Sequence, residues 1–430
     1  MSELERINAT LKENAPGVWA ALSALGRDVV YPPDIPFPAA QAKGTRYNAT
    51  IGQITDGAGS VLRLDAIEDS LRLNDEDRNK ALLYSPIGGL DELRTRWERW
   101  QRPEGVNELS PPLVTIGLTH GLALVADLFA GEGTPVVVPQ PSWGNYRQVF
   151  GLRRGARMIS VDAYRKPAED RFDWRPEAIA EAIAALPAGT PAIAILNLPS
   201  NPGGYMPTVS ERGVLAESLV AAAADRPVVV VCDDAYAGLV YDAQIPAASM
   251  FWDLIGQHDN LLPIRLAGST KEFLLFGGRV GFLTLPFAAG NPVADALDNK
   301  LRGLIRSGVG SPAALSQVVL LQALRNAEIG EEVEEIRALL GRRRARLAEA
   351  LERAATDSKG RLRPLPANAG AFALIELDES LDAGELRLRL IEESDVGLVS
   401  IGDRYLRIAF CSLAEEDVDL LVSRLVAAAS

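Results

Sequence analysis

Between about residues 75 and 310, short continuous apolar runs alternate with stretches of helical periodicity. The runs lie at 135–138, 192–196, 228–231, 261–267 and 280–285, and several are dominated by Val, Ile and Leu. A half-buried strand alternates polar and apolar positions, whereas a strand covered on both faces reads as an unbroken apolar run. The pattern therefore predicts a three-layer α/β domain with a mostly parallel sheet under helices. Ligands of such sheets sit beyond the carboxyl ends of the strands. Asn201, Asp233 and Lys271 each follow a predicted strand at that edge.

The flanks read differently. A possible helix opens the first 45 or so residues. The tract Tyr31-Pro32-Pro33-Asp34-Ile35-Pro36-Phe37-Pro38 is too rich in proline for regular structure and is predicted as loop. One long helix is predicted over 313–353, then strands at 371–375 and 405–410 and a helix at 415–427. This reads as a smaller α+β domain. The expected division is 1–75 as N-terminal arm and part of the small domain, 76–320 as the large domain, and 321–430 as the rest of the small one.

Bulk properties narrow the partners. A chain of 430 residues, 47% hydrophobic and 23% charged, is an ordinary globular composition of two or three domains. A net charge of -13 argues against nucleic acid, which requires clustered cations. The run Arg342-Arg343-Arg344 with Arg346 alternates with acids and reads as a solvated helix face. Cys232 and Cys411 stand among apolar residues and are expected to be buried free thiols, which suits the cytoplasm. The segment from Met1 to Arg6 has no basic start leading into an apolar core, so no signal peptide is expected. No apolar run reaches the 18 residues or more that a membrane span needs. Two histidines (His120, read as a local hydrogen-bonding group, and His258, read as surface) and two scattered cysteines suggest no metal site.

Candidate chemistry centres on Lys271, in Gly268-Ser269-Thr270-Lys271, followed by Gly277-Gly278-Arg279. Upstream stand Asn201-Pro202-Gly203-Gly204 and Cys232-Asp233-Asp234-Ala235-Tyr236. A lysine, an aspartate with a tyrosine, and an Asn-Pro-Gly turn after three different strands match the needs of pyridoxal phosphate. A lysine forms its Schiff base and an aspartate pairs with its ring nitrogen.

From Asn48 to Arg407 the chain resembles the class I aminotransferases of pyridoxal-phosphate fold type I, closest in motif to the aspartate and aromatic subgroup. The resemblance implies that Leu118 and Thr119 donate backbone N–H groups, and Thr119 its hydroxyl, to the cofactor phosphate, with Arg279 as the phosphate arginine. It implies that Trp143 lies on the ring, that Asp233 rather than Asp234 holds the ring nitrogen, and that Tyr236 and Asn201 bond the ring oxygen. Lys271 would be both covalent anchor and base. Arg407 would bind the substrate α-carboxylate, Gly52 would belong to a strand closing over it, and Phe372 would line the pocket. Tyr84 resembles the tyrosine that reaches the neighbouring subunit's phosphate, so a homodimer with shared sites is implied. Arg306 falls where dicarboxylate-using relatives bind a distal carboxylate across the dimer. Relatives that take aromatic substrates keep that arginine and move it aside, so both classes stay open. Gly117 and Gly268 stand where serines are usual, which implies fewer hydroxyl contacts to the phosphate.

The implied activity is ping-pong transfer of an α-amino group between an L-amino acid and a 2-oxo acid. A β-lyase, a decarboxylase or a biosynthetic enzyme could use the same scaffold. A DNA-binding regulator built on it would need an added basic segment, and the acidic N-terminus offers none.

Overall fold

The computed structural model describes residues 1–31, 36–165 and 172–430. Its larger sheet has seven strands: β1 (Leu113–Ile116), β2 (Pro135–Gln140), β3 (Arg157–Asp162), β4 (Ala192–Asn197), β5 (Val228–Asp233), β6 (Leu261–Gly268) and β7 (Val280–Thr284). Their order is β1-β7-β6-β5-β4-β2-β3. The ladder from β6 to β3 is parallel throughout, and β7 runs antiparallel to both of its neighbours. Along β4, Ala192, Ala194 and Leu196 enter one hydrophobic core, while Ile193 and Ile195 enter another on the opposite face. Successive residues of a strand point to opposite faces, so this division is why the sequence shows unbroken apolar runs.

Six helices bear on the site: α1 (Pro36–Gln41), α2 (Gly117–Phe129), α3 (Ala314–Arg325), α4 (Ile329–Asp357), α5 (Ala383–Ser394) and α6 (Val418–Ala429). A second, wholly antiparallel sheet joins β8 (Leu362–Pro364), β9 (Ala373–Leu377), β10 (Val399–Ile401) and β11 (Tyr405–Ile408) in the order β8-β9-β11-β10. Leu351 of α4, Leu390 of α5 and Leu421 of α6 pack with Ile375 and Leu406 into its core. The same α4 contributes Ile329, Val333 and Leu340 to a core beside the larger sheet. The N-terminal segment joins the smaller assembly where Tyr47–Asn48 pairs in parallel with Val396–Gly397. Cys232 and Cys411 are buried free thiols. Among the described residues, no helix is long and apolar enough to cross a membrane.

Three sequence expectations need correction. Part of the proline-dense tract is helical: Pro36 and Pro38 fall in the first turn of α1. First-turn N–H groups have no intrahelical partner, so proline loses nothing there; residues 32–35 of the tract lie outside the described residues. The long helix expected at 313–353 is two helices, because Asn326 breaks it. Its side-chain oxygen accepts the Glu328 N–H at 2.9 Å in place of a helical bond. Finally, Arg343 is not on a solvated face. It is 3% exposed, and its Nη1 donates to the carbonyls of Thr55 (2.9 Å) and Cys411 (2.8 Å).

Arg343 thus pins the N-terminal segment to the chain after β11. Removing it strands the Thr55 carbonyl, while the Cys411 carbonyl keeps the Thr55 N–H at 3.1 Å. Arg343→Ala is expected to lower stability by about 1–3 kcal/mol in urea unfolding. Arg342→Ala, on the exposed side of the same helix, should stay within about 0.5 kcal/mol of wild type.

Candidate active site

Strand register assembles the site. Asn197 and Asp233 end neighbouring parallel strands and are partners in the ladder, so both stand at one edge of the sheet. The chain leaves β6 at Gly268 and turns directly into Ser269–Glu272, which sets Lys271 at that edge too. Because β7 runs the other way, it begins where its neighbours end. Val280 pairs with Ile116, and Arg279, one residue earlier, meets the first turn of α2.

These residues line a cavity of about 360 Å³. Leu118, Thr119, Trp143, Asn201, Asp233, Tyr236, Lys271, Arg279, Phe372, Arg407 and Gly52 all border it. Tyr84 and Arg306 do not. They line a separate concavity with Leu83, Val309 and Pro312, and Tyr84 is 97% exposed. Trp143 meets Tyr146 edge to face at 5.6 Å, leaving its indole against the cavity.

The charged centre of the site is a buried carboxylate facing a half-buried amine. Tyr146 Oη donates to Asp233 Oδ2 at 2.6 Å, and the Ala235 N–H reaches Oδ1 at 3.2 Å. Burial pushes Asp233 up from 3.8 to about 6, opposed by the Tyr146 and Ala235 hydrogen bonds and by Lys271. Burial pushes the Lys271 amine down, with Asp233 pulling it back and Arg279 adding to the depression. Lys271 Nζ lies 5.2 Å from the centre of the Tyr236 ring. Burial raises the Tyr236 hydroxyl well above its usual range, which keeps it a hydrogen-bond donor; Arg407 and Asn201 act against the shift. Asp234 points away, pairing with the buried Arg265.

Opposite this pair, the buried Arg407 donates from Nη2 to the Thr50 carbonyl at 2.6 Å and from Nη1 to Asn201 Oδ1 at 3.5 Å. Its guanidinium stacks on Phe372 at 4.4 Å, which fixes the plane of its fork. Two polar residues that sequence reasoning passed over hold the floor. Asn197 bonds the Asp233 carbonyl at 2.9 Å and receives the Asn201 N–H at 2.6 Å. Tyr146 holds Asp233 itself. A polar residue closing an apolar strand, and a tyrosine one turn past Trp143, were the available signals.

Both unexpected glycines have packing reasons. Gly117 has φ +70°, and a Cβ there would run into the Arg279 guanidinium. A Cβ on Gly268 would come within 2.6 Å of Leu118 and 2.8 Å of the Val280 carbonyl. The first turn of α2 therefore stays open to a group beside Arg279, with N–H donors and a cation aimed at one place. A phosphate fits that set.

A family model described as aminotransferase class I and II matches residues 48–425. The 2-aminoadipate transaminase of Thermus thermophilus is 29% identical over 374 residues, 84% of this chain and 85% of that one. The aspartate aminotransferase of Geobacillus stearothermophilus is 26% identical over 259 residues, 59% of each chain. An aminotransferase structure from Anaerococcus prevotii superposes with a TM-score of 0.79 at 20% identity, covering 94% of this chain and 98% of that one.

The Asp233 shift has a consequence for the ligand-free protein. Between about pH 4 and 6 the native state holds a proton that the unfolded chain releases. The stability this proton brings is full below about pH 4 and is lost as pH rises through about 6. Relative to Asp233→Asn, wild type should lose on the order of 3 kcal/mol between pH 4 and 7. Urea unfolding at several pH values measures it. Tyr146→Phe, lacking the hydrogen bond that favours the carboxylate, should shift the loss to higher pH.

Proposed function

The chain belongs to the aminotransferase class I and II family and is an enzyme that transfers amino groups; on that premise we propose that the Lys271 cavity holds pyridoxal 5'-phosphate. The observation that carries this reading is the buried Asp233 with the half-buried Lys271, beside a glycine-lined helix start and Arg279. When bound, the cofactor supplies an electrophilic carbonyl carbon and a sink for the electrons released from the substrate's Cα–H bond. Every other part of the reaction falls to side chains of the enzyme.

Lys271 would anchor the cofactor covalently and, as a free amine, would be the base that takes the proton from the substrate's Cα. Its depressed proton affinity suits that role near neutral pH. Asp233, fixed by Tyr146, would hold the proton on the ring nitrogen. Tyr236 and Asn201 would serve the ring oxygen, and Trp143 would cover the ring. The N–H groups of Leu118 and Thr119, the Thr119 hydroxyl and Arg279 would hold the phosphate. Arg407 binds the α-carboxylate, and Gly52 with Phe372 shuts water from that corner. Tyr84 and Arg306, remote from their own Lys271, fit contributions to a partner's site in a homodimer. A division into a large domain at 76–320, an arm with part of the small domain at 1–75 and the remainder at 321–430 is supported by the two separate sheets. Two buried thiols accord with a cytoplasmic enzyme.

The purified enzyme should show a near-ultraviolet or visible cofactor band that an L-amino acid removes and a 2-oxo acid restores. Lys271→Ala should lack the native band and the cycle. Arg407→Ala should lower kcat/KM for amino donors by about 100-fold or more, the scale of losing a buried charge-assisted pair. A band that no amino acid alters, or alteration with release of carbon dioxide or ammonia, would overturn the reading.

A further inference from the structure

A second cavity of about 460 Å³ opens beyond the first. Trp143, Asn201 and Arg407 border both, so the two chambers meet at the α-carboxylate arginine. Phe37 and Ile401 give the outer chamber apolar wall, and Arg387 of α5 forms part of its lining. Arg387 is 6% exposed. Its Nη2 donates to Gln41 Oε1 of α1 at 2.7 Å, while Nε and Nη1 are shielded from water and bond to nothing among the described residues.

Three other buried arginines each have an acid or two carbonyl acceptors. Arg265 has Asp234, Arg212 has Asp253, and Arg343 has two carbonyls. Arg387 has one neutral amide. Asp382 and Asp403 also border the chamber, yet neither pairs with it. Asp382 instead accepts the Glu385 N–H at the start of α5. Burying an uncompensated guanidinium costs several kcal/mol, and burial lowers its proton affinity with no acid to offset this. A carboxylate from outside the chain, held in the chamber that Arg387 borders, would supply the missing charge.

We propose that the outer chamber is an anion subsite built on Arg387, and that the enzyme's amino-acid substrate carries a side-chain carboxylate that reaches it. The proposal rests on the reading of the Lys271 cavity as the amino-transfer site. With the α-carboxylate on Arg407, the side chain passes between Trp143 and Phe37, its methylenes against apolar wall. The distal carboxylate then ends beside the Arg387 guanidinium at the chamber wall, where it meets a positive charge that no acid of the chain offsets. Arg306 need take no part in choosing the donor.

The test compares wild type, Arg387→Gln, Gln41→Glu and Arg306→Gln as holoenzymes. Gln41→Glu keeps the fold of α1 while fixing a carboxylate on Arg387, so it competes with the ligand without removing the arginine. Glutamate and 2-aminoadipate are compared with glutamine as donors, and glutarate with butyrate as unreactive probes in titration calorimetry. Wild type is expected to prefer the dicarboxylic donors and to bind glutarate over butyrate. Both Arg387→Gln and Gln41→Glu should lose at least 10-fold of each preference. A preference that survives in Gln41→Glu and Arg387→Gln, or that vanishes only in Arg306→Gln, would overturn the subsite. If glutamine and other neutral donors cycle the cofactor while dicarboxylic donors gain nothing in wild type, the subsite fails and amino transfer stands. If no donor cycles it, amino transfer itself fails.

Discussion

Asp233 ends a parallel strand with its carboxylate almost wholly removed from water, at 2% exposure, and much of the surrounding structure answers that one cost. A carboxylate in such a place is driven toward its neutral form unless donors and cations hold it charged. Tyr146, the Ala235 N–H and Lys271 share that work from three different segments. The next residue poses the same problem on the opposite face of the sheet. Asp234 meets it with Arg265, which also bonds Gln101, and Gln101 in turn bonds the half-buried Glu272 that follows Lys271. Two adjacent aspartates thus have separate partners because a strand sends neighbours to opposite faces. One is committed to structure, and the other is left facing the cavity.

The antiparallel strand β7 matters as much as the parallel ones. A wholly parallel sheet would carry the residue before β7 to the far edge, some five residues from the site. Reversal brings Arg279 to the start of α2, where helix N–H groups and a guanidinium converge. The second sheet supplies the opposite wall. β11 delivers Arg407, and the pairing of Tyr47–Asn48 with Val396–Gly397 holds Thr50 where its carbonyl orients that arginine.

The centre of the fold was legible because it depends on local signals. Unbroken apolar runs report strands covered on both faces, and a polar residue just past each run marks the ligand edge. Asn201, Asp233 and Lys271 were reached in that way. Arg343, Arg387 and Tyr146 were not, since nothing local separates a surface arginine from one whose partners stand 68 or 288 residues away. The break at Asn326 was missed for a related reason: its side chain offers a backbone N–H the bond that helix propensity assigns to a carbonyl. Likewise, prolines at 36 and 38 exclude a helix interior without excluding a helix start.

Arg279 shows how far the backbone bends to the demands of this edge. It adopts φ +53°, a left-handed conformation that costs a side-chain-bearing residue roughly 1–3 kcal/mol. The register of β7 fixes the residue after it, Val280, against Ile116. Gly117 lacks the Cβ that would block the guanidinium. A serine at 117 could add one neutral hydrogen bond to a bound phosphate, but its side chain would occupy the arginine's place. A guanidinium offers a full charge and two parallel donors, roughly twice the strength per bond of a neutral donor. The exchange of hydroxyl for space therefore favours anion binding at this corner, where the register of β7 and the missing Cβ of Gly117 leave the strained arginine its place.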